Sequence, residues 1–251
     1  MSSIRFLGTG GARFVVARQL RASGGIWLEL EGANIIIDPG PGSLVSCARQ
    51  QPKLDPSSLD GIILTHRHLD HSTDINVMIE AMTKGGFTRR GIVLVPSDAL
   101  DEDPVVLKYV RGFPQELLVL KESGNYHIGD VEISTPIRHI HSSETYGLNI
   151  KKGGISLSFI SDTSYFDGLL ECYKGDILVI NLVMLNPKKT LKHISVSDAK
   201  RIISHIKPRM AIITHFGTTM IDAGPDKVAD KLQKETGVRV VAAEDGMRID
   251  L

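Results

Sequence analysis

The chain has 251 residues, of which 42% are apolar and 23% are charged, and its 29 basic side chains balance 29 acidic ones. This composition is typical of a soluble globular protein, and the balanced charge argues against a broad basic surface for nucleic acid while leaving a local patch open. Two cysteines, Cys47 and Cys172, exclude a disulfide framework and a cysteine-rich structural zinc site. No apolar window reaches about 18 residues, so we expect a cytoplasmic protein without a membrane partner.

Short runs rich in isoleucine and valine predict buried strands along the whole chain. In chain order these runs lie at 35–37, 62–64, 92–95, 177–180, 211–213 and 238–241. The alternating stretch at 156–160 predicts a further strand that is exposed on one face.

Helices are predicted between these strands. A helix over 72–83 is indicated by apolar residues at helical spacing, namely Ile75, Met78, Ile79 and Met82. Ser195 and Asp198 have the spacing of a capping box at the start of a second helix. Pro225 opens a third helix, and Gly237 closes it. Strands with intervening helices predict a layered α/β or α+β fold.

The densest cluster of metal-binding side chains lies at 66–71. It reads His66-Arg67-His68-Leu69-Asp70-His71, so it holds three of the nine histidines, and it follows the predicted strand at 62–64. Imidazole and carboxylate ligands suit zinc, iron or manganese. His66 and His68 can converge on one ion while Asp70 and His71 face a neighbour, and two ions about 3.5–4 Å apart can share a bridging hydroxide.

This HxHxDH segment after a buried strand resembles the signature of the metallo-β-lactamase-fold hydrolases. The resemblance extends over nearly the whole chain, through Leu7-Gly8-Thr9-Gly10-Gly11, Ile36-Ile37-Asp38-Pro39-Gly40, His141, Asp162, Thr214-His215 and Glu244-Asp245-Gly246-Met247. It implies an α/β (α+β) fold, a four-layer αββα sandwich of two mixed β-sheets flanked by helices. It also implies a single domain over 1–251, although the polar stretch at 121–130 is a weak division.

The resemblance further implies a site for two divalent metal ions, Zn²⁺ first, with Mn²⁺ or Fe²⁺ as alternatives. Its ligand set assigns His66, His68 and His141 to one ion. Asp70, His71 and His215 are assigned to the other, with Asp162 bridging both. Gly147, six positions after His141, favours His141 over His139 as the ligand. Asp38 is expected behind the metal loop, because ligating histidines usually donate their second N–H to a carboxylate or carbonyl.

Two candidate catalytic residues follow, His193 and the ligand Asp70. Relatives that cut phosphodiesters carry a histidine at the position of His193, and a histidine can protonate an alkoxide leaving group. The run at 187–192 adds Lys188, Lys189 and Lys192, which either contact substrate or form a solvated face.

The resemblance therefore predicts a dinuclear phosphodiesterase that acts on a small or cyclic phosphodiester through a metal-bridging hydroxide. A nuclease similar to ribonuclease Z, with RNA or DNA as partner, is the alternative. Against it, the span from Ser142 to Ser161 is too short for that family's tRNA-gripping arm. Lactone or thioester hydrolysis and a vestigial binding module are further alternatives. Relatives are often dimers, so a homodimer also stays open.

Overall fold

A computed structural model describes residues 2–188 and 190–251, so the predicted contribution of Lys189 lies outside the described residues. Within those ranges the chain forms two seven-stranded sheets. The strands of the first sheet are, in spatial order, β14 (Arg248–Asp250), β1 (Ser3–Phe6), β2 (Ile26–Leu30), β3 (Ala33–Ile37), β4 (Gly61–Ile63), β5 (Ile92–Val95) and β6 (Glu116–Val119). From β14 to β3 neighbouring strands are antiparallel, and from β3 to β6 they are parallel.

The second sheet repeats this plan. Its strands are, in spatial order, β7 (Gly124–Ile128), β8 (Val131–Thr135), β9 (Leu148–Lys152), β10 (Ile155–Ile160), β11 (Ile177–Asn181), β12 (Met210–Thr214) and β13 (Arg239–Ala242). Strands β7 to β10 form an antiparallel meander, and β10 to β13 are parallel. Both sheets are therefore mixed, and each has one run of parallel strands whose carboxyl ends share an edge.

The helices of the described residues lie outside the two sheets. They are α1 (Ala12–Arg18), α2 (Ser43–Arg49), α3 (Leu69–Ser72), α4 (Ile75–Met82), α5 (Gly168–Cys172), α6 (Val196–Ile206), α7 (Thr218–Ala223) and α8 (Pro225–Thr236). One buried cluster joins α2 and α4 to the first sheet, a second lies between the two sheets, and a third joins α5 to α8 to the second sheet. These three apolar layers confirm the predicted αββα sandwich.

The predicted elements lie close to the observed ones. Helix α4 buries the four apolar residues that predicted it. Ser195 and Asp198 form the capping box at the start of α6, and Gly237 closes α8 in a left-handed conformation. The expectation of a one-sided strand at 156–160 was wrong, because the last four residues of β10 are buried. Leu157 and Phe159 pack between the two sheets, and Ile160 packs against the helices outside the second sheet.

Residues that follow the parallel strands lie at one edge of the sandwich. Asp38 follows β3 and His66 comes shortly after β4 in the first sheet. Asp162 follows β10 and His215 follows β12 in the second sheet. Parallel strands end at the same edge of a sheet, and that edge is where α/β proteins usually place their sites. Among the described residues, the structure contains no helix that is long and apolar enough to cross a membrane.

Candidate metal centre

Three histidines from two loops converge at one side of the centre. His66 and His68 come from the loop after β4, and His141 comes from the loop between β8 and β9. One ligand atom of each lies within 4.8 Å of the others. The Nδ1 of His68 lies 3.1 Å from the Nε2 of His141, so two ring nitrogens face the same point.

The hydrogen bonds of these rings decide which nitrogens keep a lone pair. His141 Nδ1 donates to the backbone carbonyl of Lys192 at 3.0 Å, which leaves Nε2 as the acceptor of the neutral ring. Thr65 Oγ1 donates to Asp38, and it lies 3.2 Å from His66 Nδ1, from which it accepts. His66 Nε2 is then a buried acceptor, and among the described residues it has no hydrogen-bond partner. A cation satisfies such an acceptor, so the site fits a metal ion.

A second set lies beside the first and contains Asp70, His71 and His215. Their ligand atoms also lie within 4.8 Å of one another. The Nε2 atoms of His71 and His215 are 3.2 Å apart, and Asp70 Oδ2 lies 3.6 Å from His215 Nε2. Asp70 and His71 are consecutive residues of the short helix α3, and His71 Nε2 lies 3.9 Å from Asp70 Oδ2. The two candidate sets therefore lie side by side, with the ring centroids of His66 and His71 4.0 Å apart.

Asp162 lies between the two sets. Its Oδ2 is 3.8 Å from His66 Nε2, 3.9 Å from His141 Nε2 and 3.7 Å from His71 Nε2. Its Oδ1 is 3.6 Å from His215 Nε2 and accepts a hydrogen bond from Asn181 Nδ2 at 2.9 Å. Oδ2 thus faces histidines of both sets and Oδ1 faces His215, so the carboxylate lies where it could contact ions held by either set.

Asp38 supports the metal loop from beneath. It accepts hydrogen bonds from the Thr65 backbone N–H at 2.6 Å, the Thr65 hydroxyl at 2.7 Å and His71 Nδ1 at 2.9 Å. Asp38 also lies close enough to His66 and His71 to form a third candidate metal set. These three donors already occupy its oxygens, so its geometry is that of a support for His71 rather than of a ligand.

The electrostatics of the centre favour cations. Burial opposes the charged form of Asp162, but His215, His193 and His71 outweigh it and hold the pKa of this carboxyl well below its usual range. Burial likewise disfavours imidazolium, yet Asp70 and Asp38 raise the pKa of His71 well above its ordinary value. Burial lowers the pKa of His68 to about 4, and the pKa values of His66, His141 and His215 are also lowered, chiefly by burial. His66, His68, His141 and His215 are thus neutral beside ionised carboxylates, which is the protonation state that metal ligands need. The raised pKa of His71 means that this ring has to release a proton when a metal binds.

His193 lies at the rim of this centre. Its Nδ1 is 3.5 Å from Asp162 Oδ2, its ring centroid is 5.1 Å from that of His141, and 16% of its side chain is exposed. Lys192 contacts the centre through its side chain, whose Nζ donates a hydrogen bond to the backbone carbonyl of His141 at 3.2 Å. Lys188 is exposed. The structure thus brings His193 and Lys192 to the site and leaves Lys188 at the surface.

The other histidines lie elsewhere. His139 is buried, with Nε2 at 2.8 Å from the Tyr173 hydroxyl, and burial lowers its pKa to about 3. His205 is half exposed on α6 beside Glu171, and His127 is exposed on β7. The structure thus brings together the seven predicted ligands, His193 and Asp38.

Sequence reasoning missed the polar residues that orient the ligands. These are Thr65, Ser142, Ser161 and Asn181. Thr65 was the easiest of them to predict from the sequence, since it directly precedes His66 and a hydroxyl there can reach the ring of its neighbour. Asn181 carried no signal, because it lies 19 residues from Asp162 and meets it only through the pairing of β10 with β11.

A family model described as the beta-lactamase superfamily domain matches residues 33–216. The matched segment covers most of the chain, including the predicted metal ligands. This chain belongs to the beta-lactamase superfamily. Members of this superfamily with the metallo-β-lactamase fold are hydrolases. The predicted fold is therefore confirmed, and so is the general class of metallo-hydrolase.

Superfamily relatives match the chain from end to end. An uncharacterized protein of Methanocaldococcus jannaschii is 28% identical, with 99% of this chain and 94% of that protein covered. Ribonuclease Z of Borreliella burgdorferi is 23% identical, with 99% and 96% covered.

Solved structures show the same fold. The metallo-beta-lactamase fold protein YhfI from Bacillus subtilis has a TM-score of 0.81 at 18% identity, covering 99% of this chain and 98% of its own. A diphosphatase from the PhnP family has a TM-score of 0.73 at 16% identity, covering 99% and 96%.

Proposed function

We propose that this superfamily member is a metal-dependent phosphodiesterase that uses two divalent ions to cleave a small or cyclic phosphodiester. The observation that carries the proposal is the position of His193, whose Nδ1 lies 3.5 Å from Asp162 Oδ2 at the rim of the centre. A histidine at this point is suited to a reaction in which an alkoxide leaves and needs a proton.

The proposal assigns His66, His68 and His141 to one ion and Asp70, His71 and His215 to the other, with Asp162 between them. Support comes from the two sets of mutually close ligand atoms and from the unpartnered Nε2 of His66. Bound there, two divalent ions would supply a hydroxide nucleophile near neutral pH and Lewis acidity toward the phosphoryl oxygens. Imidazole and carboxylate donors are compatible with Zn²⁺, Mn²⁺ or Fe²⁺.

The chain's own residues would orient and protonate the substrate. Asp162 faces Nδ1 of His193, so Nε2 on the opposite side of the ring is the nitrogen that can donate to the leaving oxygen. His193 is held next to His141 because Lys192 both accepts from His141 Nδ1 and donates to the His141 carbonyl. This two-way tie fixes the loop that carries His193 at the centre. Asp70 would hold the second ion together with His71 and His215, since its carboxylate lies within ligand distance of both rings.

A compact connection between His141 and Asp162 supports a small substrate. This segment contains little more than the hairpin of β9 and β10. The alignment with ribonuclease Z of Borreliella burgdorferi extends over 323 positions, which is longer than the 251 residues of this chain. The relative therefore carries insertions, whereas this chain has equal numbers of basic and acidic side chains and a short hairpin.

The test is turnover of bis-p-nitrophenyl phosphate by the metal-loaded protein with Zn²⁺ or Mn²⁺. Because p-nitrophenolate leaves without a proton, the His193→Ala comparison uses a cyclic nucleotide, whose leaving group is an alkoxide. We expect His193→Ala to lower kcat for the cyclic nucleotide about 10²- to 10⁴-fold, the range typical of a lost general acid, with two ions still bound per chain. His205→Ala is the matched control, because His205 is a half-exposed helix histidine paired with Glu171. Absence of turnover with every metal, or full activity in His193→Ala, would refute the mechanism.

A second candidate is RNA cleavage, which is favoured by the end-to-end match to ribonuclease Z. It predicts cleavage of a precursor tRNA with a kcat/KM above that for a cyclic nucleotide. Hydrolysis of a lactone or thioester that is indifferent to His193→Ala would instead favour the carboxylic ester alternative. Measuring all three substrates on wild type and His193→Ala separates the candidates.

A further inference from the structure

Asp245 is a surface carboxylate that ties three distant segments together. It lies in the turn where the chain passes from β13 in the second sheet to β14 in the first. Its Oδ1 accepts from the Thr9 backbone N–H at 2.8 Å and from the Thr9 hydroxyl at 2.7 Å, and its Oδ2 accepts from the Ala22 N–H at 2.7 Å. Three short charge-assisted hydrogen bonds are more than a turn residue needs for its own turn.

The segment that Asp245 holds lies directly against His215. The Phe216 N–H donates to the Thr9 carbonyl at 2.8 Å, and the Gly11 N–H donates to the Phe216 carbonyl at 3.0 Å. A Cβ on Gly11 would lie 2.5 Å from His215 Cδ2, so the backbone of this segment is in contact with the imidazole. His215 itself has a left-handed backbone with φ of 59°, which a non-glycine residue adopts only when its surroundings hold it.

Arg21 closes the same network from the other side. Its guanidinium donates to Thr9 Oγ1 at 3.0 Å and to the Ala243 carbonyl at 3.3 Å, and it lies 5.3 Å from the centroid of the Phe216 ring. Thr9 Oγ1 therefore donates to Asp245 while it accepts from Arg21. The carboxylate, the hydroxyl and the guanidinium form one chain of contacts that ends on the residue after His215.

We infer that Asp245 is a positioning residue for the metal centre, which fixes the His215 imidazole beside Asp70 and His71 through Thr9 and Gly11. The role is selective. The set of His66, His68 and His141 has its own supports in Thr65 and Lys192, and none of the contacts of Asp245 described above reaches it. Loss of Asp245 therefore lowers the affinity for the ion held by Asp70, His71 and His215 and leaves the affinity for the other ion unchanged. This inference depends on the proposed assignment of ligands, and its test is independent of the substrate.

The experiment titrates the metal-stripped full chain with Zn²⁺ against a chromophoric chelator. We expect two Zn²⁺ binding events in wild type. In Asp245→Ala the affinity of one event should fall about 10- to 100-fold, the usual range when a residue that supports a ligand is lost. Asp250→Ala is the control, since Asp250 is an exposed aspartate five positions further on that pairs with Arg248. It should leave both events unchanged. Asp245→Asn should be intermediate, because its amide can accept from Thr9 but not from Ala22.

A double variant tests whether the effect of Asp245 on metal affinity depends on His215. His215→Ala should weaken the same event, and adding Asp245→Ala to it should cause no further loss. Thr9→Val, which keeps the shape of the buried side chain and removes its hydroxyl, should resemble Asp245→Ala and serves if that variant fails to fold. Equal weakening of both events in Asp245→Ala, or two unchanged events, would overturn the inference. Absence of phosphodiesterase activity alone would count against the proposed function and leave this inference standing.

Discussion

The two halves of the sandwich supply similar side chains to the candidate metal centre, but they differ in how those side chains are distributed along the chain. The first half supplies His66, His68, Asp70 and His71 from six consecutive residues. The second half supplies its groups from four separate loops spread over 75 residues, namely His141, Asp162, His193 and His215. In the first half a single loop and the short helix α3 set the geometry. In the second half the register of β10, β11 and β12 sets it, because each parallel strand ends at the same edge.

This difference predicts which ligand matters most. Asp162 faces both candidate sets and contacts histidines of both halves, whereas Asp70 faces one set. We expect Asp162→Asn to lower kcat by about 10³-fold or more and the metal content below two ions per chain. Asp70→Asn should lose one ion and retain the other. Metal analysis of both variants beside their turnover tests this, and a larger or equal loss in Asp70→Asn would place the centre of the site in the first half.

The support beneath the first half predicts a smaller effect. Asp38 has a left-handed backbone with φ of 50°, which asparagine tolerates, so Asp38→Asn removes the charge without forcing the turn to change. The amide cannot accept all three hydrogen bonds that the carboxylate accepts from Thr65 and His71. We expect a loss of about 10- to 100-fold in metal affinity, measured by chelator competition. Unchanged affinity would mean that loop 66–71 holds its shape without Asp38.

The capping box beside His193 predicts the smallest effect. Ser195 begins α6 two residues after His193, and its hydroxyl and backbone N–H exchange hydrogen bonds with Asp198. Ser195→Ala should lower the free energy of unfolding by about 1 kcal/mol, as measured by urea denaturation. Activity should fall more than in Ser204→Ala, a substitution in the same helix that leaves the box intact. Equal activity in the two variants would show that the cap stabilises the helix without placing His193.

Sequence reasoning was strongest where the physics is local. The HxHxDH segment, the capping box of α6 and the apolar spacing of α4 each depend on residues within about one or two helical turns. Gly237 at the end of α8 is of the same kind, since its left-handed backbone closes the helix that Pro225 opens. In each case the side chains that act together are also close in the chain. The sequence therefore determined the helices, most buried strands and the first half of the centre.

Tertiary structure alone decided how the second half completes the centre. Asn181 meets Asp162 because β11 pairs with β10, and Lys192 meets His141 across 51 residues. The same holds for Asp245, which reaches Thr9 across 236 residues because the last strand returns to the first sheet. It also holds for β10, whose alternating sequence predicted an exposed face, because the first sheet covers one side of this strand and the outer helices cover the other. Long-range strand pairing brings these groups together. Such pairing between distant segments produces no periodic pattern in the sequence of either segment, so the sequence alone does not predict it.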